Sequence, residues 1–196
     1  MRFLPGLICL LPLLSPLAHA ELIDDINDRG ELRIAVEANT PPFNFKDDDK
    51  LTGFEVELGQ LLASELDVRA DFVVTDGSDL LTGVESGKYD IAINHITQTP
   101  ALTDRFDFSE PYVQTTTQMI AQKEEPRSIL LVQSLTEEKP KTNPAVSLVI
   151  PFQKGNPAFH ASLENALQRI KDDGRLHALE QKWLRADAGV MPKLQN

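Results

Sequence analysis

Apolar residues along the chain recur with two periods, and the changes of period mark the elements. Phe54, Leu58, Leu61, Leu62 and Leu66 return at three- and four-residue intervals, which predicts a helix over residues 54–66 with one buried face. Phe159, Leu163, Leu167 and Ile170 predict a second helix over about 157–171. Leu176, Leu179, Trp183 and Leu184 predict a third over about 176–185, with Asp172-Asp173-Gly174 as the turn between them. Shorter helices are predicted at 22–29, stopped by Gly30, and at 78–86, stopped by Gly87. Between the helices lie apolar or alternating runs at 32–36, 69–74, 90–94, 112–121 and 146–150, each read as a strand. The run 90–94 is apolar enough to be covered on both faces. Thr40-Pro41-Pro42-Phe43 is a loop and Asp47-Asp48-Asp49-Lys50 a polar turn. Strands alternating with helices define an α/β domain with a mostly parallel sheet flanked by helices.

Two stretches break this rhythm. The first twenty residues place Arg2 before an apolar run that Pro5, Pro12 and Pro16 interrupt, too short to span a bilayer, followed by Ala18-His19-Ala20. That pattern predicts a cleavable signal peptide over 1–20 and export to the bacterial periplasm. The only cysteine, Cys9, lies inside it, so no disulfide or thiol chemistry is expected beyond residue 20. The second stretch, 124–147, carries Pro126, Pro140 and Pro144 and the run Glu137-Glu138-Lys139-Pro140-Lys141. It reads as a proline-rich linker, within which Ile129-Leu130-Leu131-Val132 is either a strand or a covering segment. The expected organisation is therefore 1–20, 21–123, linker 124–147, and 148–196.

Composition narrows the function. A chain of 196 residues with 41% hydrophobic and 25% charged residues is long enough for one domain with its own core. A formal charge of −11 repels phosphate backbones, so no nucleic-acid partner is expected. The chain has no H-E-x-x-H, no G-x-S-x-G elbow, no complete P-loop and no histidine pair at zinc spacing. An enzyme, a metal site and a cofactor are all unexpected.

Five motifs in a fixed order resemble the bacterial extracellular solute-binding proteins of family 3, which deliver amino acids to ABC importers. They are Gly30-Glu31-Leu32-Arg33-Ile34-Ala35-Val36 followed by Pro41-Pro42-Phe43, then Leu51-Thr52-Gly53-Phe54-Glu55-Val56-Glu57-Leu58, and Ser86-Gly87-Lys88-Tyr89-Asp90. After them come Phe108-Ser109-Glu110-Pro111-Tyr112 and the stretch from Asn165 through Asp173-Gly174 to Trp183. The resemblance implies one lobe of a type II periplasmic-binding-protein-like fold. In that family two lobes close on the ligand, and the chain leaves and re-enters lobe one through paired hinge strands. Departure here matches 119–123 and return matches 148–152. The interval between them is too short for a second core, so most of the second lobe is expected to be missing.

The resemblance also implies a site. The family's carboxylate-binding arginine falls at Leu102, after Thr97-Gln98-Thr99-Pro100-Ala101, and Arg105 is the nearest substitute. Otherwise Arg105 is a surface charge paired with Asp104 or Asp107. Glu37, Thr40, Phe43, Asn94, His95 and Thr97 occupy the other matched positions. Glu37 is either an acceptor for a ligand ammonium or a solvated strand-end charge. Phe43 is either a stacking platform or core. Asn94 and Thr97 offer hydrogen bonds at the carboxyl end of a strand. His95 is a ligand contact, a pH-sensitive group or a filler of the cleft. The implied function is binding of a small polar solute such as an amino acid, in association with an ABC permease. The alternative is a scaffold that docks a periplasmic protein or a second copy of itself as a homodimer, through a face exposed by the missing lobe.

Overall fold

The computed structural model describes residues 21–115 and 146–184. The expected signal peptide and nearly all of the expected linker lie outside them. The chain begins with α1 (Leu22–Arg29), stopped by Gly30 in the left-handed conformation at φ 68°. It continues through β1 (Glu31–Val36), β2 (Asn39–Thr40), β3 (Asn44–Asp47), β4 (Lys50–Thr52), α2 (Phe54–Glu65), β5 (Arg69–Val74), α3 (Gly77–Glu85) and β6 (Ile91–Ala92). A short α4 (Pro100–Thr103), β7 (Phe106–Phe108) and β8 (Val113–Thr115) precede β9 (Val146–Leu148), β10 (Pro151–Gln153), α5 (Pro157–Asp172) and α6 (Arg175–Trp183). The central sheet has the order β5-β1-β6-β10-β7, with β5, β1 and β6 parallel and β10 antiparallel to both its neighbours.

Alternation along β1 shows why the sheet is covered on both faces. Leu32, Ile34 and Val36 enter the large core formed with α1, α2, α5 and α6, while Ala35 enters a smaller core with Leu80, Val84, Tyr89 and Phe106. The stripe Phe159, Leu163, Leu167 and Ile170 of α5 is fully buried, as its spacing predicts. Two features differ from the sequence reading. The expected loop after Thr40 and the expected turn at Asp48-Asp49 are present, but the residues flanking them pair as a three-stranded antiparallel sheet, with Asp48 and Asp49 at positive φ where β3 turns into β4. The apolar run after residue 145 is two strands, not one. β9 pairs with β8, and the chain then passes Val149 and Ile150 to enter the main sheet as β10. Of the expected strand 112–121, the described part is β8, and the rest lies outside the described residues.

Candidate functional site

Because β1 and β6 are parallel, the residues that follow them lie at the same edge of the sheet. Glu37 follows β1 and Asn94 follows β6. The Glu37 backbone N–H donates to Asn94 Oδ1 at 3.2 Å, and Asn94 Nδ2 donates to Glu37 Oε2 at 2.8 Å. Asn94 is 8% exposed and Glu37 half-buried. His95 has a positive φ of 44°, and its ring lies 5.9 Å from that of Phe43. Phe43 is half-buried and packs on the large core, edge-on to Phe54 at 6.3 Å. Thr40 is buried on β2, opposite Asn44, and its hydroxyl donates to Asn39 Oδ1 at 2.9 Å. Thr97 bridges Leu148 of β9 and is half-exposed.

Arg105 does not join this group. α4 ends at Thr103, so Arg105 lies at the start of β7, which runs parallel to β6. It therefore sits at the opposite edge of the sheet, where its guanidinium forks onto Glu85 at the end of α3, with Nε at 3.0 Å from Oε1. The partner is neither Asp104 nor Asp107. Asp107 instead accepts the Gly155 N–H at 2.9 Å. Leu102 is half-buried against the smaller core.

Three residues that the sequence did not point to as site residues, Glu55, Asn44 and Tyr112, join the site. Glu55, fully buried in the first turn of α2, accepts hydrogen bonds from the His95 backbone N–H, from Tyr112 Oη at 2.7 Å and from Asn44 Nδ2. Asn44, also fully buried, uses the same nitrogen to donate to Asn94 Oδ1 at 3.0 Å. Burial, followed by the charge and hydrogen bond of Glu55, pushes the Tyr112 hydroxyl well above its usual value of 10.0. The motif Gly53-Phe54-Glu55 now has a physical reading. A Cβ on Gly53 would lie 2.2 Å from the Phe43 carbonyl oxygen, so only glycine allows that approach. The Phe43 and Pro42 carbonyls accept the N–H groups of Glu55 and Phe54 at 2.8 and 2.9 Å. This docks the loop carrying Phe43 onto the start of α2. The one signal in the sequence was an acid in a helix first turn, which ordinarily reads as a helix-dipole residue.

An α/β lobe that gathers a carboxylate, a carboxamide and an aromatic ring beyond the ends of parallel strands has the architecture of a small-solute site. The chain belongs to the bacterial extracellular solute-binding proteins, family 3, whose family model matches residues 32–186. It is similar to the L-cystine-binding protein TcyJ of Escherichia coli K12, at 25% identity over 235 aligned residues covering 87% of this chain and 88% of TcyJ. That alignment is longer than the 196-residue chain, so TcyJ carries residues that this chain lacks. Among solved structures it resembles the ancestral amino acid-binding protein AncCDT-1, a precursor of cyclohexadienyl dehydratase, with a TM-score of 0.67 and 22% identity over 85% of this chain and all of that one. It also resembles the arginine-bound form of domain 1 from TmArgBP, with a TM-score of 0.58 and 22% identity over 74% of this chain and 98% of that domain. The fold is thus one shared with solved amino-acid-binding proteins, and the curated relatives include L-cystine-binding proteins and a probable amino-acid-binding protein.

Proposed function

We propose that this protein is an exported solute-binding lobe that takes a small polar solute, an amino acid with a cationic group, in association with an ABC importer. The observation that carries the reading is the convergence of Glu37, Phe43, Asn94 and His95 beyond the ends of β1 and β6. Among the described residues no ion pair reaches Glu37, so its carboxylate remains available to an ammonium or guanidinium, with Phe43 as the adjoining apolar platform. Domain 1 of TmArgBP in its arginine-bound form supports the idea that one lobe can hold such a ligand. A half-site covers less of the ligand than a closed pair of lobes, and each 1.4 kcal/mol forgone weakens binding about tenfold. The role is binding rather than catalysis, because an open lobe does not exclude water from a reacting group. Export to the periplasm follows the leader pattern of residues 1–20.

Isothermal titration of the purified chain against the twenty amino acids and L-cystine tests the proposal. Heat is expected with L-arginine or L-lysine, and substitution of Glu37 by Gln is expected to abolish it. Silence with every ligand at millimolar concentration would overturn the reading. The protein-docking alternative gains nothing from the surface: among the described residues Val74, 48% exposed, is the one large hydrophobic side chain standing in solvent.

A further inference from the structure

The hydrogen bonds behind Glu37 have a direction. Glu55 as a carboxylate only accepts, so Asn44 must turn its NH2 toward it; the opposite orientation would set Asn44 Oδ1 against the carboxylate. The second hydrogen of that NH2 meets Asn94, which must therefore present Oδ1 to Asn44. The same oxygen accepts the Glu37 backbone N–H, and the Asn94 NH2 is left facing the Glu37 carboxylate. Among the described residues the buried Asn44 Oδ1 has no hydrogen-bond partner, so this side chain serves as a double donor while its acceptor goes unused. An unused buried acceptor is a cost the fold bears to keep the amides in this sense.

We infer that Glu55 is a positioning residue of the candidate site, which through Asn44 fixes the Asn94 carboxamide with its N–H held on Glu37. Tyr112 and the His95 backbone secure the other Glu55 oxygen, tying the relay to the chain that enters β8. The consequence for solute binding rests on the function proposed above; the orientation of the amides does not.

Two variants test it. In Glu55→Gln the oxygen serving His95 and Tyr112 is kept, and a donor now faces the Asn44 donor. In the double variant Glu55→Gln with Asn44→Asp, the pair at 55 and 44 is matched again, but an acceptor now faces Asn94 Oδ1. A merely structural Glu55 predicts that the double variant recovers both stability and binding. A positioning Glu55 predicts that it recovers stability alone. The readouts are urea unfolding, the NMR side-chain amide signal of Asn94, and affinity for L-arginine. The expected result is a displaced, faster-exchanging Asn94 amide in both variants, with affinity down about tenfold or more, the loss of one charged hydrogen bond. An unmoved Asn94 amide, or recovery of affinity to within about twofold in the double variant, overturns the inference. If the parent chain binds no L-arginine, the proposed function fails, and the Asn94 amide in the double variant still decides the relay.

Discussion

Two fully buried carboxylates stand at opposite edges of the same sheet and are satisfied in opposite ways. Asp90, just before β6, is held by charge: Arg29 Nη2 lies 2.6 Å from Oδ2, Arg33 Nη2 lies 2.7 Å from Oδ1, and the Arg33 N–H donates at 2.7 Å. Glu55, at the other edge, receives its backbone, phenol and carboxamide hydrogen bonds from neutral donors. The first arrangement neutralises the acid and closes that edge, and the Glu85–Arg105 pair does the same nearby. The second sets carboxamide, phenol and backbone donors on the acid, at an edge where among the described residues no ion pair reaches Glu37. Guanidinium groups lock one edge, while carboxamides order the edge proposed above to take a solute.

The largest expected effect comes from breaking the charged edge. Asp90→Ala strands the half-buried Arg33 guanidinium and the more exposed one of Arg29, and is expected to cost about 3 kcal/mol in urea unfolding. A loss no larger than that of an ordinary surface change would mean that the edge is held by backbone pairing alone. Next comes a separation of the two tyrosines. A hydrogen bond from Lys88 draws Tyr89 below 10.0, whereas burial and then Glu55 push Tyr112 well above it. Ultraviolet titration should show one hydroxyl ionising early and the other staying protonated until the fold is lost. Since the folded value of Tyr112 is raised, its contribution to stability is complete below about pH 10 and lost as pH rises beyond it. Simultaneous ionisation would remove the distinction between the edges. The smallest effect belongs to Arg105→Ala, which removes an exposed ion pair. Titration with L-arginine should be unchanged; lost binding would move the site to the other edge.

Much of the fold was legible because period and punctuation agreed. Gly30 stops α1 where expected, and the stripe of α5 is the buried face. The sheet of β2, β3 and β4 was not legible, since strands of two to four residues leave no periodicity to count. The break at Val149 and Ile150 was hidden because both residues are buried, so the run reads as one apolar strand. The site was half legible. Glu37 and Asn94 follow strands whose direction the pattern predicts. Arg105, the expected substitute for the family's arginine at the position of Leu102, lies beyond the end of α4 at Thr103 and just before β7, which carries it to the other edge. Asn44 and Glu55 were invisible because a partner fifty residues away, or forty, leaves no mark on local sequence.

The ladder of β8 and β9 sets Thr115 opposite Val146, one strand spacing of about 4.8 Å apart. Such a juncture acts as a socket. The cost of closing a chain between its two contacts rises only with the logarithm of length, so short and long inserts are carried at nearly the same expense. The sheet is indifferent to the size of its cargo there. For protein engineering, that makes the Thr115–Val146 juncture the natural place to graft a reporter or a foreign domain while leaving the lobe intact.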